Sequence, residues 1–523
     1  MLRARRRHKG HRMSWSDEVE ELARRRERAR EMGGEERVAR QHAAGRLTVR
    51  ERIDALIDPG SFVELGALAG EETADGFVPS GYVGGLARVD GRDVVVGGED
   101  FTVRGGSERD GAEKVALVCA MAREYRLPLV LFHDGAGGNI ENTINRGYSK
   151  IPNYRSWADE MECLATVPVV AGVMGSVAGG PAGRAMLSHW SIMPKETAEI
   201  FAAGPTVVKR ALGAELTKQE LGGSKVHARG SGSVDNEGED ELDCMRQIRE
   251  FLSYMPRNVW ELPPYREPRD DQERREEKLL EIIPRERRKP YDMRKLIRMV
   301  VDDSEFFELT PHYGKCLITA FARLNGHVVG VVGNNPMIHG GALDGAGADK
   351  QTHFMDLCDQ FSIPLVFFID IPGFMVGPAA EQAATVRRGM RAFWMTNQVT
   401  VPVLQVYVRR CFGFGGAASG NAARLNLRIG WPSGEWGGIP TEGGVDAAFR
   451  RIIESAPDPE AKRAELEEGV ARLRSPFITA EALAVEDIID PRDTRPVLIR
   501  FLEASEAARS YELGPKARRG VRP

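Results

Sequence analysis

Apolar runs and helical stretches alternate along this chain in a rhythm that occurs twice. In the first round a strand is expected at Val94–Val96, then a glycine-rich loop and a helix over 111–124. An apolar strand over 127–132 follows and ends at Asp134. A second helix leads to a strand over 167–173, which runs into a glycine-rich turn over 175–183. The second round has a strand over 328–332, a helix over 348–361 and an apolar strand over 363–369 ending at Asp370. A strand over 401–407 then enters a glycine-rich turn over 413–420. Continuous Val, Ile and Leu runs between helices imply an α/β fold with a largely parallel sheet buried on both faces.

The two rounds share sequence as well as rhythm. Ala87-Arg88-Val89-Asp90-Gly91 resembles Ala322-Arg323-Leu324-Asn325-Gly326, an offset of 235. Gly105-Gly106 matches Gly340-Gly341, Asp134 matches Asp370, and Val167-Pro168-Val169 matches Val401-Pro402-Val403, all within a residue of that offset. Upstream, Ser61-Phe62-Val63-Glu64-Leu65 resembles Glu305-Phe306-Phe307-Glu308-Leu309 at 244. Ordered blocks at a nearly constant offset mark a duplicated fold. Between the copies, 263–289 is dense in Arg, Glu and Pro and reads as a solvated linker. The expected division is a basic segment and helix over 1–30, a first domain over 31–265, a linker over 266–290 and a second domain over 291–523. Ser14 or Ser16 is expected to cap a helix that runs through Arg30.

Composition narrows the function. The 523 residues carry 72 Lys and Arg against 76 Asp and Glu, a net charge of −4, which argues against nucleic acid as the partner. Six dispersed cysteines form no CxxC pair, so neither a zinc site nor a redox dithiol is expected, and a reducing, cytoplasmic setting is. No apolar run is long enough to span a membrane. The first 12 residues hold six cations and no acid. A mitochondrial presequence would look like this, but acids begin at Asp17, and Met13 is an alternative start.

Gly is 57 of the 523 residues, so the chain uses bare backbone heavily. Four glycine loops fall at the carboxyl ends of expected strands, where open α/β sheets bind ligands. They are Asp134-Gly135-Ala136-Gly137-Gly138-Asn139 and Ala178-Gly179-Gly180 in the first copy. In the second they are Asp370-Ile371-Pro372-Gly373-Phe374 and Gly413-Phe414-Gly415-Gly416-Ala417. Converging backbone N–H groups in such loops can stabilise an oxyanion. GxxxxGK[ST], HExxH and GxSxG motifs are absent. His133 beside Asp134 could be an acid–base pair, but neighbours on a strand point to opposite faces. Backbone oxyanion stabilisation fits best.

The chain resembles the carboxyltransferase (β) subunits of biotin-dependent acyl-CoA carboxylases over about residues 14–515. The resemblance rests on Glu51-Arg52-Ile53-Asp54 with Gly60-Ser61-Phe62-Val63-Glu64, on Gly204-Pro205 with Val207-Val208-Lys209, and on Glu220-Leu221-Gly222-Gly223 with Val226-His227. Tyr313-Gly314-Lys315, Leu357-Cys358-Asp359 and Asp370-Ile371-Pro372-Gly373-Phe374 extend it, and Glu381 and Arg387 match an acid and a base in the helix that follows.

The resemblance implies two crotonase-like domains and a hexamer, a trimer of dimers, whose site joins the N domain of one subunit to the C domain of another. The N domain would bind acyl-CoA and stabilise its enolate at Gly137, Gly138, Gly179 and Gly180, with Asn139 and Ala178 contacting substrate. The C domain would bind carboxybiotin, with the oxyanion at Phe414 and Gly415 and contacts from Gly373, Phe374, Gly413, Gly416 and Ala417. No Met-Lys-Met occurs. Biotin would therefore ride on a partner, a biotin carboxylase or carboxyl carrier subunit, and no metal is expected here. Where many members read Asp-Ser-Gly-Gly-Ala-Arg, this chain has Gly135, Ala136, Gly138 and Asn139, and small Ala417 suggests a bulkier acyl group. A decarboxylase component of the same superfamily and a non-catalytic paralogue are the alternatives.

Overall fold

The computed structural model describes residues 14–74, 76–107, 112–137, 143, 144, 147–149, 151, 157–420 and 426–517. Two large sheets organise them. The first runs Val63–Glu64, Tyr82–Val89, Arg92–Glu99, Leu129–His133, Val169–Val173, Trp190–Pro194 and Asn236–Gly238. The second runs Phe306–Leu309, Leu317–Leu324, His327–Asn334, Leu365–Ile371, Val403–Phe412, Leu427–Gly430 and Asp487–Ile488, with Glu435–Gly437 also on Val403–Phe412. Along each order the first two pairings are antiparallel and the next four parallel, and Glu435–Gly437 adds a fifth parallel pairing to the second sheet.

The duplication holds residue by residue. Val63 pairs with Leu86 as Phe307 pairs with Phe321, Tyr82 with Glu99 as Leu317 with Asn334, and Leu129 with Val169 as Leu365 with Val403. The Pro168 carbonyl accepts from Leu129 as the Pro402 carbonyl accepts from Leu365. Asp58 takes the N–H groups of Asp90 and Gly91, and Asp302 those of Asn325 and Gly326. These are the spacings of the repeated blocks.

The expected elements recur with shifted bounds. The helices expected over 111–124 and 348–361 are Ala112–Tyr125 and Gly345–Gln360. In the second half the strand ends reach further, because Ile371 still pairs with Cys411 and Arg410–Phe412 pair with Glu435–Gly437. The strand expected over 401–407 reaches Phe412. The turn expected over 175–183 contains a short strand, Ser176–Ala178, and the start of helix Gly180–Met186. The turn expected over 413–420 is largely a helix, Gly413–Ala417. Glu381 and Arg387 lie on two helices, Pro378–Gln382 and Thr385–Thr396, broken by left-handed backbone at Ala384. Helix Ser16–Arg30 forms, but Trp15 occupies its cap position without a side-chain bond, so neither serine caps it.

The linker is exposed but anchored. Arg274 donates to the carbonyls of Met299 and Val301, and Leu279 is buried in the core of the second half. The halves also share apolar core. Trp190 stacks on Phe251 at 4.9 Å, and Phe251 meets Phe321 at 6.0 Å. Among the described residues no helix is long and apolar enough to cross a membrane.

Candidate active site

Each half brings its two glycine loops together. In the first half, a Cβ on Gly137 would lie 3.0 Å from the Ala178 carbonyl oxygen and 3.0 Å from the Gly180 nitrogen. Ala178 N–H is donated to the Gly135 carbonyl at 3.1 Å, which ties the loops. Gly179 adopts φ 67°, a left-handed turn that suits glycine, and releases the chain into helix Gly180–Met186 with Pro181 in its first turn. The first N–H groups of this helix lack intrahelical acceptors. Gly138 and Asn139 lie outside the described residues.

The second half repeats the junction. A Cβ on Gly415 would lie 2.8 Å from the Gly373 carbonyl carbon and 3.0 Å from its Cα. Gly373 adopts φ 133°, and its carbonyl accepts from Leu343, which also bridges to Phe374. Gly415 and Gly416 are buried, while Phe414 is 64% exposed and Ala417 is exposed. Gly416 packs on Cys411, and Gly413 turns at φ 59°. Phe374 packs over Gly389 and is half-buried. The candidates therefore converge in two groups: Gly137, Ala178, Gly179 and Gly180 in one half, and Gly373, Phe374, Gly413, Phe414, Gly415, Gly416 and Ala417 in the other.

Buried ion pairs hold both loops. Asp134 accepts from Arg52 at 3.0 Å and from Gln41 at 2.8 Å. Arg52 also donates to Glu241 at 2.6 Å and to the Met174 carbonyl at 3.1 Å. Burial disfavours the Arg52 charge, yet Asp134 and Glu241 overcome this and raise its pKa. In the second half Asp370 accepts from Arg409 and Arg410, each at 2.8 Å. Glu99 and Asn334, equivalent in the repeat, accept the N–H groups of Asp134 and Asp370. His133 and Asp134 form no pair, since His133 turns to Glu99 on the opposite face.

A cleft of about 290 Å³ beside the first junction was not anticipated from sequence. Arg37, Arg40, Arg46 and Arg104 line it with Gly105. The Gly105 carbonyl accepts from Ala136 in the first loop, which places the cleft against that junction. Arg46 and Arg104 pair with Glu199 and Glu71, and Arg37 donates to the Thr102 carbonyl. The spacing of Arg37 and Arg40 on helix Glu35–Ala43 was the one sequence hint.

Residues 40–520 match the family model described as "Carboxyl transferase domain". The chain belongs to the carboxyl transferase family. It is 35% identical over 515 residues to a propionyl-CoA carboxylase carboxyltransferase subunit of Haloferax mediterranei, covering 96% of this chain and 98% of that one. It is 35% identical over 501 residues to the methylmalonyl-CoA carboxyltransferase 12S subunit of Propionibacterium freudenreichii subsp. shermanii, covering 93% of each. The solved hexameric transcarboxylase 12S, with methylmalonyl-coenzyme A bound, superposes with TM-score 0.88 at 32% identity, covering 98% of this chain and 99% of that one. The two halves are accordingly crotonase-like, and the chain is an enzyme, a carboxyltransferase of the acyl-CoA carboxylase type.

Proposed function

We propose that the first half of this carboxyltransferase binds acyl-CoA and the second half binds carboxybiotin delivered by a biotin carboxylase or carboxyl carrier partner. The observation that carries this division is the doubled glycine junction: Gly137 on Gly179–Gly180, and Gly373 on Gly415, at equivalent strand ends. In each, the two loops meet so closely that a Cβ would press on the backbone of the other loop, so only glycine lets the two stretches of main chain converge. Gly137, Gly179 and Gly180 stabilise the thioester enolate. Phe414 and Gly415 stabilise the oxygen of the biotin ureido group, with Gly373, Phe374, Gly413, Gly416 and Ala417 shaping its cradle. Carboxybiotin, when bound, would supply the carboxyl group and a base for the α-proton, and the backbone of Phe414 and Gly415 would hold its ureido oxygen. Backbone donors suit this task because they need no reorganisation as charge develops.

The arginine cleft supports the assignment of acyl-CoA to the first half. Coenzyme A is a phosphate-rich anion, and Arg guanidinium pairs well with phosphate. The cleft abuts the Gly137 junction through Gly105 and Ala136.

A second copy completes the site. Val386, Met390 and Trp394 repeat every four residues along helix Thr385–Thr396 and are 55%, 37% and 50% exposed, beside Phe414. In the first half Leu117 and Met161 are exposed on helices Ala112–Tyr125 and Ala158–Thr166. The assembly is a hexamer, which the similarity to the hexameric transcarboxylase 12S supports, and its arrangement in this reading is a trimer of dimers. Six cysteines without disulfides suit a reducing cytoplasm. Carboxylation of an acyl-CoA panel by the purified chain with a biotin carboxylase partner tests the reading. Turnover of at least one acyl-CoA is expected, and failure with every one refutes it.

A further inference from the structure

The second half holds a cavity that the carboxyl-transfer scheme leaves unused. Its volume is about 500 Å³, within the range of small-molecule sites. Leu279, Leu280 and Ile283 of the linker give it one apolar wall, and Trp431 contributes to another. Leu279 and Trp431 are buried, while Leu280 is 50% exposed. Four guanidinium groups, those of Arg285, Arg287, Arg409 and Arg474, line the cavity against one carboxylate, that of Glu435.

The fold fixes these charges in place. Arg409 is 5% exposed. It donates from Nε and Nη2 to Asp370 at 3.0 and 2.8 Å, and from Nη1 to the Lys289 carbonyl at 3.0 Å. Arg287 donates to Glu435 at 2.8 Å and so answers the one carboxylate. Arg474 donates to the Ile439 carbonyl and stands 4.9 Å over the Phe412 ring. Arg285 is exposed. The lining is therefore positive beside buried apolar surface, where charge is screened less than in open water.

The duplication separates what the fold requires from what it adds. Arg46 pairs with Glu199, the first residue of strand Glu199–Phe201, which runs beside Ser176–Ala178. Arg287 pairs with Glu435, the first residue of Glu435–Gly437, which runs beside Arg410–Phe412. The two pairs are equivalent. Arg46 lines the arginine cleft of the first half, as Arg287 lines this cavity. Arg409 is an addition. At the spacing of the repeat its position falls on Gly175, where a Cβ would lie 2.0 Å from Asp134 Oδ1. Among the described residues Asp134 is paired with one guanidinium, that of Arg52, whereas Asp370 is paired with two. One cation on this aspartate is enough for the fold, and the second lines the cavity.

A ligand that suits both kinds of wall carries a negative head and an apolar body. Carboxylate and phosphate both match the planar guanidinium fork. An alkyl chain gains by leaving water for the apolar wall.

We propose that this cavity binds an amphipathic anion, a carboxylate or phosphate ester with an alkyl chain. The head pairs with Arg285 and Arg474, and the chain packs on Leu279, Leu280 and Ile283. The site lies behind the second glycine junction. Arg474 stands over Phe412, which precedes the Gly413 turn, and Arg409 anchors Asp370 at the root of the arm that reaches Gly373.

The test is calorimetric titration of the full-length protein with octanoate, octyl phosphate, acetate and inorganic phosphate. The octyl compounds should bind at least about 10-fold more tightly than the two short anions. Arg285→Glu should weaken octyl binding about 10-fold. Leu280→Ser should weaken it several-fold. Both residues are exposed, so folding should survive, which circular dichroism checks. Arg288→Glu, on the same linker but off the cavity lining, should bind as the wild type does. Binding of one octyl compound alone supports the site and names its head group. Absence of octyl binding, equal binding of octyl and short anions, or an equal effect of Arg285→Glu and Arg288→Glu overturns it.

Discussion

Gly415 lies against the backbone of Gly373, so closely that a Cβ on Gly415 would come 2.8 Å from the Gly373 carbonyl carbon. Gly137 and Gly180 stand in the same relation in the other half. Backbone atoms on both sides cannot step aside as a side chain can. The contact is therefore a sensitive probe of the proposed cradle. Gly438, nearby in the second half, has nothing within 4 Å of its would-be Cβ. Gly415→Ala should lower carboxyl transfer by on the order of 10²-fold or more. Gly438→Ala should leave it unchanged. Steady-state rates of the two variants, after circular dichroism shows both folded, check this.

The Arg52 network should dominate the stability of the first loop. Replacing Arg52 by Met leaves Asp134 and Glu241 buried without their cation. Breaking such a pair from one side costs about 3–5 kcal/mol. The exposed pair of Arg28 and Glu72 should matter far less, within about 0.5 kcal/mol. Urea titrations of Arg52→Met and Arg28→Met compare the two.

Lys350 gives a pH signature. It is fully buried, and burial pulls its pKa down to about 8 while its ammonium donates to the carbonyls of Thr310 and Leu317. Between about pH 8 and 10.5 the unfolded chain holds a proton that the folded chain has released. The unfolded state binds more protons there, so stability rises with pH across that window. The gain is about 3 kcal/mol for this site. Lys350→Met should lack it. The stability difference between wild type and variant, followed from pH 7 to 10.5, should change by that amount. A constant difference would contradict it.

Assembly should depend on the apolar stripe of helix Thr385–Thr396. Met390→Glu places a charge in the proposed contact between copies without touching the core. Light scattering should find a hexamer for the wild type and smaller species for the variant, with unchanged circular dichroism. A hexameric Met390→Glu protein would remove this helix from the interface.

The duplication was legible because strand pairing needs matched spacing, and the blocks around Asp134 and Asp370 preserve it. The glycine loops were legible because bare backbone at a strand end has few purposes. Their packing was not, because Gly373 and Gly415 meet only once the parallel strands between them are aligned. The Arg52 network was hidden for the same reason, since Asp134 and Glu241 approach it from distant segments. The arginine cleft was obscured by composition, because charged residues on exposed helices are common and only the fold gathers these four. The linker was misjudged in one respect: its charges face water, but Leu279 and Arg274 dock it, and one buried residue in a polar stretch carries little periodic signal.

The division of labour between the halves is tested most directly by acyl-CoA binding to two folded variants. Calorimetric titration with a non-reactive acyl-CoA analogue should give Gly415→Val an affinity close to that of the wild type, although its carboxyl transfer is lost. Gly137→Val, whose Cβ would press on Ala178 and Gly180, should bind the analogue at least about 10-fold more weakly. Equal loss of binding in both folded variants, or unchanged binding in Gly137→Val, would contradict the assignment of acyl-CoA to the first half and carboxybiotin to the second.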